Sequence, residues 1–171
     1  RVWCATLDVD VDVAASAPDA WLVGTQVQAP MPRRHAAHKG SFGDVAIVGG
    51  AVGMEGAAWL AARAAHAAGA GRVFVDLVGG NGERGGMART AIDTARPELM
   101  VRPGWSSGDT VAATTVVCGC GGGDTVRTAL LRLLSLAPRL VLDADALNAI
   151  AADASLLALL VGRARRGAAS V

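Results

Sequence analysis

The stretch "HKGSFGDVAIVGGAVGMEGAA" (38–58) decides the fold. Its four apolar residues 45–48 run without alternation and are bracketed by glycines, the pattern of a short strand buried on both faces. The run stops at Gly49-Gly50 and passes into "GAAWLAARAAHAAGAG" (56–71), an alanine-rich helix closed by Gly69 and Gly71. "RVFVDLV" (72–78) then reads as a second strand. Strand, glycine turn, helix and strand make a βαβ unit, which needs parallel neighbours.

The pattern continues outward. "PELMVR" (97–102) carries a brief strand, and "ATTVVCGCGGGD" (113–124) a clear one that ends in glycines. Asp124 is expected to cap a helix over 125–137, which Pro138 ends. "RLVLDADALN" (139–148) reads as a strand bearing Asp143 and Asp145 at its far end, and "DASLLALLVGRARRG" (153–167) as an amphipathic helix. "GGNGERGG" (79–86) reads as a loop, mobile by composition, and "MARTAID" (87–93) as a short helix. Residues 1–37 are an irregular lead-in, with a possible edge strand over 7–13. The fold class is α/β, a mostly parallel sheet with helices on both faces.

Composition agrees. Apolar residues make up 52% of the 171, dominated by small side chains that let helices lie close to a sheet, and aromatics only 4%. Sixteen Lys and Arg against fifteen Asp and Glu leave a net charge of +1, without the excess that marks a nucleic-acid or membrane-surface binder. No apolar run reaches the length of a membrane-spanning helix, and the opening "RVWCATLDVDVDV" lacks signal-peptide features. It also lacks an initiator Met, so the sequence is expected to begin inside a longer chain. Cys4, Cys118 and Cys120 fit neither a disulfide framework nor a zinc knuckle, and free thiols in a cytoplasmic protein are expected.

Parallel α/β sheets bind ligands outside the carboxyl ends of their strands. Three strands end there in unusual chemistry: Gly49-Gly50, the residues from Gly119 to Gly123, and Asp143 with Asp145. The first cluster is no Walker A loop, since no Lys follows it, and no dinucleotide fingerprint, since Gly50, Gly53 and Gly56 stand three apart. Two readings stay open for it: backbone N–H groups meeting a phosphate at a helix N-terminus, or a purely architectural turn. "CGCGGGD" places glycine at four of the five positions 119–123, at about 0.5–1 kcal/mol each relative to Ala, which favours a close backbone approach over a mere connector.

Asp143 and Asp145, two apart on a strand, would face one way and hold Mg²⁺ or orient a hydroxyl, with Asn148 nearby. Equally, Asp145 caps the next turn and Asp143 bonds backbone. His38 and Lys39 could meet an anion, although an exposed Lys is ordinarily a solvated charge. Trp59 reads as core, His66 as a surface or packing residue, and Arg163, Arg165 and Arg166 as complements to a helix C-terminus and as solvated charge. No Ser-His-Asp or Cys-His arrangement can be argued.

Taken together and in order, "HKGSFGDVAIVGG", "GMEGAAWLAARAAHAAGAGRVFV", "RPELMVR", "CGCGGG" and "LVLDADALN" resemble the NAD(P)H-hydrate dehydratase family, a branch of the ribokinase-like fold. "RVWCATLDV" resembles the join to an epimerase domain that precedes the dehydratase in bifunctional members. The resemblance implies a lead-in at 1–34 and a ribokinase-like domain from 35 to 171. It implies ADP- or ATP-driven dehydration of NADHX and NADPHX, with Mg²⁺, by a cytoplasmic homo-oligomer, a tetramer. It places Gly56, Ala57, Gly119 and Gly121 along the hydrated dinucleotide, with Gly49 and Gly50 shaping the same crevice. Lys39 and Gly40, like Asp143, Asp145 and Asn148, would support the site.

There are two departures. Gly119-Cys120-Gly121 stands where the family has Gly-Pro-Gly, which loosens the loop by up to about 1 kcal/mol through unfolded-state entropy. The family's catalytic aspartate, nucleotide-phosphate lysine and anion-binding turn are expected beyond Val171, since "ASV" (169–171) opens the strand that leads to them. The resemblance therefore implies a sheet incomplete at its C-terminal end and a chain without turnover of its own. A small-molecule kinase of the same fold and a non-catalytic nucleotide-binding remnant are the rival readings. A dehydrogenase is disfavoured by its glycine spacing.

Overall fold

Among the described residues six parallel strands form one sheet, in the order Met100–Val101, Arg72–Leu77, Asp44–Gly49, Thr115–Cys118, Arg139–Leu142, Ala169–Ser170. They are β1 (Asp44–Gly49), β2 (Arg72–Leu77), β3 (Met100–Val101), β4 (Thr115–Cys118), β5 (Arg139–Leu142) and β6 (Ala169–Ser170). The computed structural model describes residues 33–79 and 92–171. The expected strand at 7–13 and most of the segments 79–86 and 87–93 lie outside the described residues. The chain divides after His35, and Ala36–Val171 cluster together.

β1 is central, pairing with β2 on one side and β4 on the other, with Ile47 level with Val75 and Val117. Its Ala46, Ile47 and Val48 are fully buried, as an unbroken apolar run requires. On one face lies α1 (Glu55–Ala67), whose Ala58 and Ala62 pack against Ile47, Val73 and Val75. On the other lie α2 (Arg127–Leu136), α3 (Ala144–Ala151) and α4 (Ala154–Arg165). Leu130, Leu133, Leu134, Ile150 and Leu156 there cover Val48, Val116 and Leu140. Each such leucine contributes roughly 1.5–3 kcal/mol by leaving water. Beyond α1 the same face is thinly covered: Val117 is half-buried and Val141 exposed.

The glycine stop of α1 forms as expected. Ala70 N–H donates to the Ala65 carbonyl and Gly69 N–H to that of His66, the paired closure of a Schellman turn. Asp153 caps α4, accepting the Ser155 N–H at 2.8 Å.

Three expectations are corrected. The strand expected over 139–148 ends at Leu142, and α3 follows at once. Ala146 and Ile150, four apart, both reach the core, so helical period wins over the apparent alternation of "LDADALN". Asp143 and Asp145 therefore share no strand face. The helix expected from 125 opens instead as a 3₁₀ turn, Gly123–Val126, with α2 beginning at Arg127, and Asp124 makes no capping bond.

Arg163 is neither a solvated charge nor a complement to its own helix. It is 1% exposed. Its Nη1 donates to the carbonyls of Leu134 at 3.2 Å and Ala137 at 2.6 Å, and its Nε to Ser170 Oγ at 3.0 Å. It thus serves the negative end of α2, a helix distant in sequence, and holds β6 beside it. Desolvation lowers its affinity for the proton, and the α2 carbonyls answer that cost.

No single described helix is long and apolar enough to cross a membrane; α3 and α4 together have the composition but meet at 111°.

Candidate functional site

β1 feeds α1 on one face and β4 leads to α2 on the other, so the strand order switches between β1 and β4. A crevice at the carboxyl ends is the geometric consequence. Both glycine clusters lie there, stitched together. Gly50 N–H donates to the Cys120 carbonyl at 2.9 Å and Ala51 N–H to that of Gly121 at 2.7 Å, while Gly119 N–H reaches Val48 O at 3.0 Å.

The contact leaves no room for side chains. A Cβ on Gly49 would stand 2.4 Å from the Cys120 carbonyl oxygen. Gly121 has φ +57, and a Cβ there would lie 2.8 Å from Met54 O and 2.9 Å from Ala57 Cβ. The glycines are therefore needed first for each other: two backbones meet, and the start of α1 closes on the second loop. Gly49, Gly50, Gly119, Gly121 and Ala57 are brought together in one seam. Gly56 turns outward beside Ala57 and helps line a separate hollow of about 400 Å³ with Trp59, Arg63 and Ile92.

The aspartates brace this seam. Asp145 Oδ2 accepts the Gly123 N–H at 2.9 Å, fastening the second loop to α3. Asp143 sits at the N-cap of α3, its N–H on Cys118 O at 2.9 Å and its carboxylate beside the Cys120 thiol. Asn148 is exposed and shares a hollow of about 320 Å³ with Asp145 and Arg127. Lys39 and Gly40 are elsewhere. Their 3₁₀ turn, Lys39–Phe42, precedes β1, and Gly43 O accepts the Gly71 and Arg72 N–H groups at the start of β2. They stand at the amino ends of the strands, roughly 20 Å from the seam. Among the described residues no group of three or more His, Cys, Asp or Glu could hold a metal. Asp145 Oδ2 is committed to the Gly123 amide, and the aspartates lie on a loop end and a helix rather than on one strand face.

Burial, then the Asp143 carboxylate, push the Cys120 thiol up to about 11, and burial pushes Cys118 up to about 12. At neutral pH both stay protonated. Cys120 is expected to alkylate at least tenfold more slowly than an unperturbed thiol, since two pH units cost about a hundredfold in thiolate and nucleophilicity returns part of it. Asp143→Asn should quicken the reaction. Mass spectrometry of the Cys120 peptide during iodoacetamide labelling checks both, and a free-thiol rate in the parent chain would contradict them.

One feature escaped the sequence reading. Asp76, 4% exposed at the end of β2, accepts the Gly104 N–H on Oδ1 and the Ser106 N–H on Oδ2, each at 2.8 Å. It pins the turn after β3, where Trp105 stacks on Phe74 with ring centroids 6.5 Å apart. An acid inside "RVFVDLV" was the available signal, since a buried carboxylate must find donors. Above it lies a cleft of about 680 Å³ lined by Asp76, Gly79, Ser106, Thr125, Thr128 and Arg132, among others. In dinucleotide-binding sheets of this strand order, an acid near this place takes a ribose hydroxyl. Here each of its oxygens already accepts a backbone N–H, so Asp76 serves first to brace the turn.

The chain matches the sequence profile of the NAD(P)H-hydrate dehydratase family over residues 45–163. It is 37% identical over 127 residues to the ADP-dependent (S)-NAD(P)H-hydrate dehydratase of Neisseria meningitidis serogroup B, covering 71% of this chain and 40% of that protein. An ADP/ATP-dependent NAD(P)H-hydrate dehydratase from Bacillus subtilis, co-crystallised with ATP/Mg²⁺, superposes with a TM-score of 0.53 and 27% identity, over 68% of this chain and 42% of that one. A ribokinase-like superfamily protein from Enterococcus faecalis gives a TM-score of 0.57 at 21% identity over 71% of this chain and 43% of its own, which supports the fold. The chain thus spans well under half the length of each.

Proposed function

Because the chain belongs to the NAD(P)H-hydrate dehydratase family, we propose that its glycine seam is part of the site that binds hydrated NADH and NADPH for ADP- or ATP-driven dehydration. The observation that carries this is the contact of Gly121 with Met54 and Ala57, which sets the amino end of α1 at the junction of the two loops. α1 is thirteen residues long, and its positive end favours the diphosphate of a dinucleotide laid along the seam.

The chemistry asks mainly for positioning. Hydroxide leaves poorly, so transfer of a terminal phosphoryl group from ADP or ATP to the ring hydroxyl makes phosphate the leaving group. The ring nitrogen's electron pair then expels phosphate, and a proton leaves the neighbouring carbon, restoring the dihydronicotinamide. The seam's part is to hold the hydrate rigidly, with two loops and a helix fixed by backbone hydrogen bonds rather than by side chains that could swing. Mg²⁺ accompanies the nucleotide in the Bacillus subtilis crystal. Such an ion arrives with the nucleotide phosphates and needs few protein ligands of its own.

Calorimetric titration of the chain with NADPHX should show saturable binding tighter than about 1 mM. Absence of saturation would overturn the reading. Phosphoryl transfer to an added hydroxymethyl compound, with no response to the hydrate, would favour the kinase alternative.

A further inference from the structure

The cleft beyond Asp76 adjoins the seam and is built differently. A Cβ at Gly79 would be 3.8 Å from both Thr125 and Val52, so the cleft begins where the first glycine loop ends. Its volume, about 680 Å³, is that of a small-molecule site.

Three of its four lining hydroxyls have spent their protons inward. Thr125 Oγ1 donates to Gly122 O at 2.9 Å, Thr128 Oγ1 to Thr125 O at 3.0 Å, and Ser107 Oγ to Gly104 O at 2.7 Å. What they retain is acceptor capacity, which suits a ligand rich in donating hydroxyls. The lining carboxylate, Asp76, has both oxygens on amides. Arg132 is the lining cation. One of its nitrogens, Nη2, donates to Gly108 O at 3.1 Å and lies 3.5 Å from the exposed Asp109 carboxylate. Its Nε, however, is buried without a hydrogen-bond partner among the described residues. Nε itself faces away from the cleft, but the Arg132 side chain as a whole is 38% exposed, so other N–H groups of the guanidinium are open to an acceptor. A planar, forked cation with a spare N–H suits a phosphate.

We propose that this cleft binds a phosphorylated ribose, its phosphate against Arg132 and its hydroxyls donating to Ser107, Thr125 and Thr128. Two sources share this chemistry: a nucleotide half of the hydrated dinucleotide, which rests on the function proposed above, and a free sugar phosphate.

The experiment is calorimetric titration of the chain, Arg132→Gln and Arg132→Lys with ribose 5-phosphate, then with NADPHX in its presence and absence. Thermal unfolding verifies that each variant is folded. Arg132→Gln is expected to weaken ribose 5-phosphate roughly tenfold, and Arg132→Lys to recover much of the loss. Competition between the two ligands assigns the cleft to the dinucleotide; simultaneous binding assigns it to a free sugar phosphate. Equal affinities for ribose 5-phosphate in the parent and Arg132→Gln, or no binding to the folded parent, would overturn the proposal. NADPHX binding that persisted in that case would leave the seam reading standing. Loss of NADPHX binding with ribose 5-phosphate retained would reject the seam alone.

Discussion

Gly49→Ala is expected to cost about 3 kcal/mol of stability and to abolish binding of the hydrated dinucleotide. The added Cβ would lie 2.4 Å from the Cys120 carbonyl oxygen, a backbone atom that cannot swing aside as a side chain would. Relief requires one loop to lift, and lifting it breaks the Gly50–Cys120 and Ala51–Gly121 hydrogen bonds. Overpacking contributes roughly 1–3 kcal/mol and each lost bond about 1. β1 cannot shift to absorb the strain, because Ala46, Ile47 and Val48 are fully buried between two helical layers. Gly56→Ala is the control. Nothing lies within 4 Å of a Cβ there, so helix propensity should raise stability by up to about 1 kcal/mol. Urea denaturation measures both; a loss below about 1 kcal/mol at Gly49 with binding intact would contradict the seam.

Arg163→Ala should be at least as damaging, at about 3–5 kcal/mol. It strands the carbonyls of Leu134 and Ala137 in the core, takes the donor from Ser170 Oγ, and leaves a cavity among α2, α4 and β6. Arg163→Met separates these effects, since it refills much of the volume without supplying donors. Its loss should fall between those of the parent and the alanine variant. If methionine matched the parent, the hydrogen bonds would carry little of the stability and packing nearly all.

These residues also show what could be read in advance. The order of strands and helices was legible because β1 and α1 carry unambiguous patterns, an unbroken apolar run and an alanine-rich helix with a glycine stop. The boundary at Leu142 was not, because in "LDADALN" small residues obey both periods until Ile150 extends the helical one. That the two glycine clusters concern the same place was visible from their positions at strand ends. That they touch each other was not, since contact between loops some seventy residues apart depends on the register of β1 with β4. Arg163 misled because local sequence put it near the end of its own helix, whereas its partners lie almost thirty residues back. Asp76 and Arg132 meet one cleft through topology alone.

The central claim is that the hydrated dinucleotide lies along the seam at the carboxyl edge. The most direct measurement is the map of backbone amide shifts in the isotope-labelled chain as NADPHX is added. The largest changes are expected at residues 49–57 and 119–123. Changes centred instead on Lys39–Phe42 at the amino edge, or none at saturating ligand, would contradict it.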